Sequence, residues 1–173
     1  MNDPRHVIGR PQPTQMRRFY AATFQILDRV DRTIAGAMRQ YGFVFLRIAV
    51  AIVFVWFGVL KFFPGLSPAV DLVRRTVYWI RPEIFIPILA TWEVLIGVCL
   101  LIRPLVRVAV LLLFLQMGGT FLPLVLLPDA TWLHAPYAPT LEGQYILKNL
   151  VIIGAALVIG STVRQQSQAA RKL

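Results

Sequence analysis

Six polar side chains lie within long apolar runs of the sequence, where they are candidates for chemistry inside a membrane. They are Arg47, Lys61, Glu93, Gln116, Lys148 and Asn149. Ionisable residues are rare in such runs because an uncompensated charge in hydrocarbon is unfavourable, and those that occur often mark functional sites. A carboxylate beside an ammonium group can hydrogen-bond a carbonyl oxygen and pass a proton. We therefore predict that the six residues form a ligand-binding polar cluster, and we assign none of them a catalytic role.

Glu93 is the residue around which this cluster is predicted to form. It lies near the middle of the second apolar run, and its short side chain cannot reach either membrane surface. It must therefore be paired, protonated or beside water. Arg47 and Lys61 are fourteen residues apart in the first run, about 40° short of four helical turns, so they share a face. We expect all six side chains to point inward, with Lys61 the first partner of Glu93, Lys148 the second and Arg47 the third.

Each of these residues also has a purely structural interpretation. Arg47, Lys61 and Lys148 lie near the ends of their runs and can extend their charges to the head groups. Glu93 can serve only in an ion pair that fixes helix register, and Gln116 only in an interhelical hydrogen bond. Small residues in the later runs indicate close helix packing: Gly118, Gly119, Gly154, Ala155 and Gly160.

The runs themselves predict the fold class. The chain is 57% hydrophobic and only 15% charged, with a mean hydropathy of +0.66. Four runs approach or exceed the roughly 20 residues that cross a hydrocarbon core, and backbone groups in lipid must satisfy their own hydrogen bonds as helices do. The predicted spans are residues 42–63, 84–102, 105–127 and 145–162. We predict an all-α membrane protein, a four-transmembrane-helix bundle.

The basic residues predict that both chain ends are cytoplasmic. Seven lie in residues 1–41, two in the turn at 103–107 and three in the tail at 163–173, so twelve fall on one side. Only three fall on the other side, all in the first outer loop. The richer side is normally cytoplasmic. The net charge of +10 therefore indicates contact with anionic lipids of the inner leaflet rather than with nucleic acid, which binds a basic face of a soluble fold.

Two segments outside the spans are predicted to be helical. Residues 14–41 have apolar side chains every three or four positions and arginines on much of the opposite side, which is typical of an amphipathic helix at the cytoplasmic membrane surface. The alternative is a helix packed on a partner protein. Residues 1–13, with several prolines, are predicted to be a disordered lead. A short second helix is predicted after Pro68 from one apolar stripe: Val70, Val73, Val77 and Ile80.

Several classes of redox protein are excluded by what the chain lacks. Cys99 is the only cysteine, and His6 and His134 are the only histidines. The sequence therefore has no dithiol pair, no two axial haem ligands within the spans and no cluster with metal-ligand spacing. A phosphate-binding loop is also missing. We expect no metal site and no built-in cofactor, and we favour a chain that is not an enzyme by itself.

Three segments resemble the DoxX-like family of membrane proteins. The run from Arg47 to Lys61, RIAVAIVFVWFGVLK, is similar to the family's first helix, in which an arginine and an apolar stretch precede Gly-x-x-Lys. The run from Ala90, ATWEVLIGVCLLIRPLVRVAVLL, resembles its Glu-hydrophobic-Gly helix and the tight basic turn that follows. Between these two segments, the short FFPGLSP stretch at residues 62–68 suggests the branch related to stress-resistance inner-membrane proteins.

The third segment is GQYILKNLVIIGAAL, which begins at Gly143 and resembles the family's closing Leu-Lys-(Asp/Asn)-Leu helix. Asn149 stands where many relatives have aspartate. This departure removes a counter-charge for Lys148 and weakens the argument for a proton relay there. The whole resemblance covers residues 43–160 and excludes the N-terminal extension.

The resemblance implies a four-helix bundle in a bacterial inner membrane. Some relatives are quinone-linked subunits of thiosulfate oxidation, and others join membrane complexes that handle oxidative stress. For this chain it implies an accessory subunit of such a complex, which binds a quinone or a lipid-like ligand and assembles with other membrane subunits or with further copies of itself. Two alternatives stay open: a small oligomeric transporter or channel, whose charged residues line a polar path, and a purely structural membrane partner.

Overall fold

The computed structural model describes residues 13–170, with side chains described for residues 27–161. Four helical segments in this part of the chain are long and apolar enough to cross a membrane, which indicates a multi-pass membrane protein. They are Leu27–Leu60, Pro82–Leu101, Arg103–Leu126 and Leu141–Ser161. The four predicted spans are thus present, although their ends differ from the expected ones by several residues.

The chain divides into two compact units, Met1–Gly42 and Phe43–Leu173. In the first unit the described side chains, from residue 27 onward, are all exposed. Arg32 forms an ion pair with Asp28, one helical turn before it. These residues belong to helix α1 (Pro13–Leu60), so the predicted boundary at residues 41–42 does not interrupt the helix. The surface location of residues 14–41 stays a prediction, and the predicted lead lies almost wholly outside the described residues.

In the second unit, α1 ends at Leu60 and is followed by turns that include Lys61. Helix α2 (Ala69–Thr76) begins directly after Pro68, as predicted, but it ends before Val77 and Ile80, the last two residues of the predicted apolar stripe. The second span is α3 (Pro82–Leu101), whose proline at the first position lacks an N–H that would have no partner there in any case. A short 3₁₀ turn, Arg103–Leu105, joins it to α4 (Val106–Phe121).

The third and fourth spans are both interrupted by a polar or proline residue. After α4, Pro123 begins α5 (Pro123–Leu126), because proline has no N–H to continue the hydrogen-bond ladder. The fourth span consists of α7 (Leu141–Leu147) and α8 (Asn149–Ala170), separated at Lys148. Asn149 accounts for this break, since its Nδ2 donates to the backbone oxygens of Tyr145 and Ile146 at 3.2 and 3.1 Å. The predicted tail at 163–173 is thus helical as far as Ala170.

A small hairpin lies between the third and fourth spans, and the sequence did not predict it. Helix α6 (Pro128–Thr131) leads into β1 (Trp132–His134), which pairs antiparallel with β2 (Ala138–Pro139). Trp132 Nε1 donates to the oxygen of Leu124 at 3.1 Å, and this bond ties the hairpin to α5. We call this end of the spans the hairpin end, and the opposite end, where residues 102–105 join α3 to α4, the turn end.

Side chains from all four spans share one apolar core. Helix α3 packs on α4, and α4 packs on α8. The core residues are Val50, Ala51 and Phe54 of α1, Ile96, Cys99 and Leu100 of α3, Val106, Ala109, Leu113 and Met117 of α4, and Ala155, Ala156 and Ile159 of α8. Most of them lie between the middle of the spans and the turn end. This half of the described region is therefore filled by apolar side chains.

Two glycines let α1 and α3 approach closely. A Cβ on Gly97 would lie 2.7 Å from the Ala51 oxygen and 2.6 Å from Val55 Cγ2, and a Cβ on Gly58 would lie 2.9 Å from the backbone nitrogen of Val94. Small residues allow such backbone contact between membrane helices. The small residues that were predicted to allow close packing divide into two groups. Ala155 lies in the core and a Cβ on Gly160 would lie 3.7 Å from Val110 Cγ1, whereas at Gly118, Gly119 and Gly154 an added Cβ would meet nothing within 4 Å.

Candidate functional site

The Glu93 carboxylate lies where α1, α3 and α4 meet, and each of its oxygens has a partner from a different helix or helix end. Lys61 Nζ is 2.6 Å from Glu93 Oε2. Gln116 Nε2 donates to Glu93 Oε1 at 2.8 Å. The ammonium of Lys61 also donates to the Phe57 backbone oxygen at 3.4 Å. We call Lys61, Glu93 and Gln116 the polar triad.

The ion pair of the triad is enclosed by protein. The Lys61 side chain is 5% exposed and the Glu93 side chain 11% exposed. Neither group therefore reaches lipid head groups, and the interpretation of Lys61 as a snorkelling residue does not fit. Removing two charges from water is unfavourable unless the two groups are in direct contact and their other polar atoms are hydrogen-bonded. The short contact between Lys61 and Glu93 meets the first of these conditions.

The glycine contacts between α1 and α3 position this pair. Gly58 precedes Lys61 by three residues, and Glu93 precedes Gly97 by four, so each glycine shares a helix face with its charged residue. Because Gly58 and Gly97 bring the two backbones together, the Lys61 ammonium and the Glu93 carboxylate are close enough for direct contact. Gly97 was not predicted as a site residue, although it is the glycine of the Glu-hydrophobic-Gly pattern in this helix. Its spacing of one turn from Glu93 was the signal for its role.

Gln116 adds an amide whose orientation follows from chemistry. An ionised carboxylate only accepts hydrogen bonds, so the amide nitrogen must face Glu93 and the amide oxygen must face away. Gln116 Oε1 is buried and has no hydrogen-bond partner among the described residues. Lys61 has three N–H donors, of which Glu93 and Phe57 engage two. The triad thus presents one further donor and one further acceptor.

The other three predicted site residues do not join the triad, contrary to our expectation that all six converge. Lys148 is exposed, and its Nζ lies 4.9 Å from the centroid of the Tyr145 ring. Asn149 bonds the carbonyl groups at the end of α7. Arg47 shares a helix face with Lys61, but fourteen residues of helix separate the two by about 21 Å along the axis.

An apolar groove of about 340 Å³ lies on α3 but is separate from the triad. It is lined by Pro87, Ile88, Thr91, Trp92 and Leu95. At 100° per residue these side chains occupy the face of α3 roughly opposite to Ala90, Glu93 and Gly97. The groove therefore contributes nothing to the site around Glu93.

Metal chemistry has no support in the described residues. They contain no group of three or more His, Cys, Asp or Glu side chains that could hold a metal ion. Cys99 is buried and has no disulfide partner. The polar groups of the triad can donate and accept hydrogen bonds and can exchange protons.

No family model, curated protein or solved structure matches this chain.

Proposed function

We propose that this chain is a DoxX-like accessory subunit of a bacterial inner-membrane redox or oxidative-stress complex, and that its polar triad binds the head group of a quinone or a similar lipid-like ligand. The observation that carries the proposal is the buried Lys61–Glu93 pair with Gln116 on its second oxygen. Buried ionisable groups in a membrane span are unfavourable and typically functional. Partner subunits or further copies of the chain supply the chemistry that the triad lacks.

A quinone matches the hydrogen-bonding groups of the triad. Its carbonyl oxygen accepts a hydrogen bond, which the remaining N–H of Lys61 can donate. Its reduced form carries a hydroxyl, which Gln116 Oε1 can accept. When a partner redox subunit supplies an electron, the Lys61 ammonium can donate a proton to the carbonyl oxygen, and the proton returns to Lys61 on oxidation. Exposed apolar residues follow Lys61 directly, namely Phe62, Phe63 and Leu66, and they suit an isoprenoid ligand that arrives from the lipid phase.

A purely structural role is the second candidate, and one observation favours it. Both oxygens of Glu93 are already bonded, so the triad can hold α1, α3 and α4 in register without any ligand. A channel is less well supported, because the apolar core fills the spans between their middle and the turn end. A polar path through the described region would have to cross that core.

Quinone binding is tested most simply at Gln116. Titration of the detergent-purified chain with a short-chain quinol should give saturable binding, and Gln116→Leu should weaken it about tenfold, since it removes a buried hydrogen-bond acceptor. The matched control is Gln144→Leu, the same change at an exposed residue near the hairpin end, which should leave the dissociation constant unchanged. Absence of saturable binding by the wild-type chain would refute the proposed ligand class.

The proposed orientation places the turn end in the cytoplasm, as the basic residues predict. A reporter fused after Gly160 should therefore report a cytoplasmic location, and one inserted within residues 131–140 should report the opposite side. The measurement is paired activity of a cytoplasm-specific and a periplasm-specific reporter at each site. Both fusions on the same side, or the reverse assignment, would contradict this orientation.

A further inference from the structure

Arg47 is a half-buried cation that has no ion-pair or hydrogen-bond partner among the described residues. Its Nε is enclosed and unpartnered, whereas its terminal nitrogens are not among the enclosed atoms. An arginine that merely extends to head groups would expose its whole guanidinium. The guanidinium of Arg47 is instead partly enclosed, and no described residue accepts a hydrogen bond from it.

No carboxylate among the described residues of the second unit can neutralise this charge. Asp71, Glu83, Asp129 and Glu142 lie in or beside the loops of the hairpin end. Glu93 is paired with Lys61, about 21 Å along α1 from Arg47. Arg47 therefore lies toward the turn end, where all charged side chains of the described part of the second unit are basic.

The surroundings of Arg47 favour a phospholipid over a free ion. Ala51, one turn after Arg47, lies against Gly97, so the antiparallel α3 brings its last residues and the exposed Arg103 to the same level. Apolar side chains beside Arg47 are exposed, namely Val44, Phe45 and Ile48. Two basic residues thus lie at a similar depth, next to exposed apolar side chains, and a phospholipid combines the phosphate and the acyl chains that suit them.

We propose that Arg47 is a binding site for the phosphate head group of an anionic phospholipid, in the leaflet at the turn end. The guanidinium matches a phosphate through two parallel N–H donors, and basic pockets between membrane helices are a recurrent head-group site. Binding supplies the counter-charge that the described protein does not. This site is separate from the polar triad and does not depend on the function proposed for it.

The test is lipid binding by the delipidated full chain in neutral detergent, measured by titration with short-chain phosphatidylglycerol. We expect saturable binding, with phosphatidylcholine weaker and inorganic phosphate alone without effect at the same concentration. Arg47→Gln should weaken phosphatidylglycerol binding about tenfold or more, because charge-assisted hydrogen bonds are lost. Arg81→Gln, which removes the same charge from an exposed position at the hairpin end, should bind as the wild type does.

Arg47→Lys keeps the charge but loses the paired donors, so it should bind several-fold more weakly than the wild type. It also keeps the proposal testable if Arg47→Gln does not fold. The site would be overturned if the wild type and Arg47→Lys bound phosphatidylglycerol equally well and the wild type bound phosphatidylcholine as tightly as phosphatidylglycerol. Inorganic phosphate that binds as tightly as the lipid would overturn the assignment to a membrane ligand.

Discussion

Replacing Glu93 with glutamine should destabilise the protein by about 3–5 kcal/mol, because it leaves the Lys61 ammonium uncompensated in a buried site. The glutamine side chain has nearly the same shape and can still accept the hydrogen bond from Gln116. The loss of stability is therefore due to the missing negative charge. The measurement is the free energy of unfolding in detergent micelles. Glu142→Gln is the matched control: the same change at an exposed carboxylate should alter stability by no more than about 0.5 kcal/mol.

A double-mutant cycle measures the interaction energy between Lys61 and Glu93 separately from the contribution of each side chain alone. Lys61→Met alone should also destabilise, since it leaves the Glu93 carboxylate with Gln116 as its only partner. Combining Lys61→Met with Glu93→Gln removes both charges, and much of the loss should be recovered. The expected coupling is well above the roughly 0.5 kcal/mol scatter of independent sites. If the two single losses simply add, the 2.6 Å contact contributes no coupling, and our account of the triad is wrong.

Gly97→Ala should cost about 1–3 kcal/mol of stability, since overpacking forces backbone shifts. The new methyl would lie within 3 Å of Ala51 and Val55, and two of the atoms it meets are backbone atoms that cannot rotate away. In a helix the same substitution is otherwise favourable by up to about 1 kcal/mol. The sign of the effect therefore reports the close approach of α1 and α3.

Gly154→Ala is the matched control for this substitution, because nothing lies within 4 Å of the added Cβ. Its stability should equal or exceed that of the wild type. Gly97→Ala should also reduce the coupling between Lys61 and Glu93, since the helix contact that positions them is displaced. Equal stabilities for the two alanine variants would show that the α1–α3 contact is not tight.

The four spans and one ion pair could be predicted from the sequence, since both follow from the cost of polar groups in lipid. Apolar runs of sufficient length define the spans, and a midplane carboxylate requires a partner. Lys61 was ranked first among the three basic residues as the partner of Glu93, and these two residues form the pair. These are properties of single helices, which periodicity and length describe well.

What could not be predicted depends on contacts between elements. Lys148 lies at the break between α7 and α8, so the phase of either helix does not give its direction. Arg47 shares the face of Lys61, but a shared face does not imply a shared depth. The glycines that bring α1 and α3 together, Gly58 and Gly97, differ from those chosen by their small size alone. The hairpin at residues 132–139 has strands too short for an alternating pattern.

The N-terminal extension shows a further limit of pattern reasoning. Residues 14–41 have the periodicity of an amphipathic helix, whereas residues 42–63 have the length and apolar composition of a span. Composition changes at this boundary, yet α1 runs through it from Pro13 to Leu60. Helical hydrogen bonding continues wherever the local backbone permits it, whether or not the surrounding solvent changes.

The most direct test of the central claim, that the polar triad is a ligand site, is quinone binding by the Lys61→Met/Glu93→Gln double variant. Much of its stability should be recovered, and unfolding curves that show it folded under the binding conditions ensure that a loss of binding is not due to unfolding. We predict that its affinity for a short-chain quinone falls at least about tenfold, because Lys61 no longer donates to the carbonyl oxygen. The control, Lys148→Met/Glu142→Gln, makes the same two changes at exposed residues and should bind as the wild type does. A stable double variant that retains wild-type affinity would contradict the claim and leave the triad a structural pair.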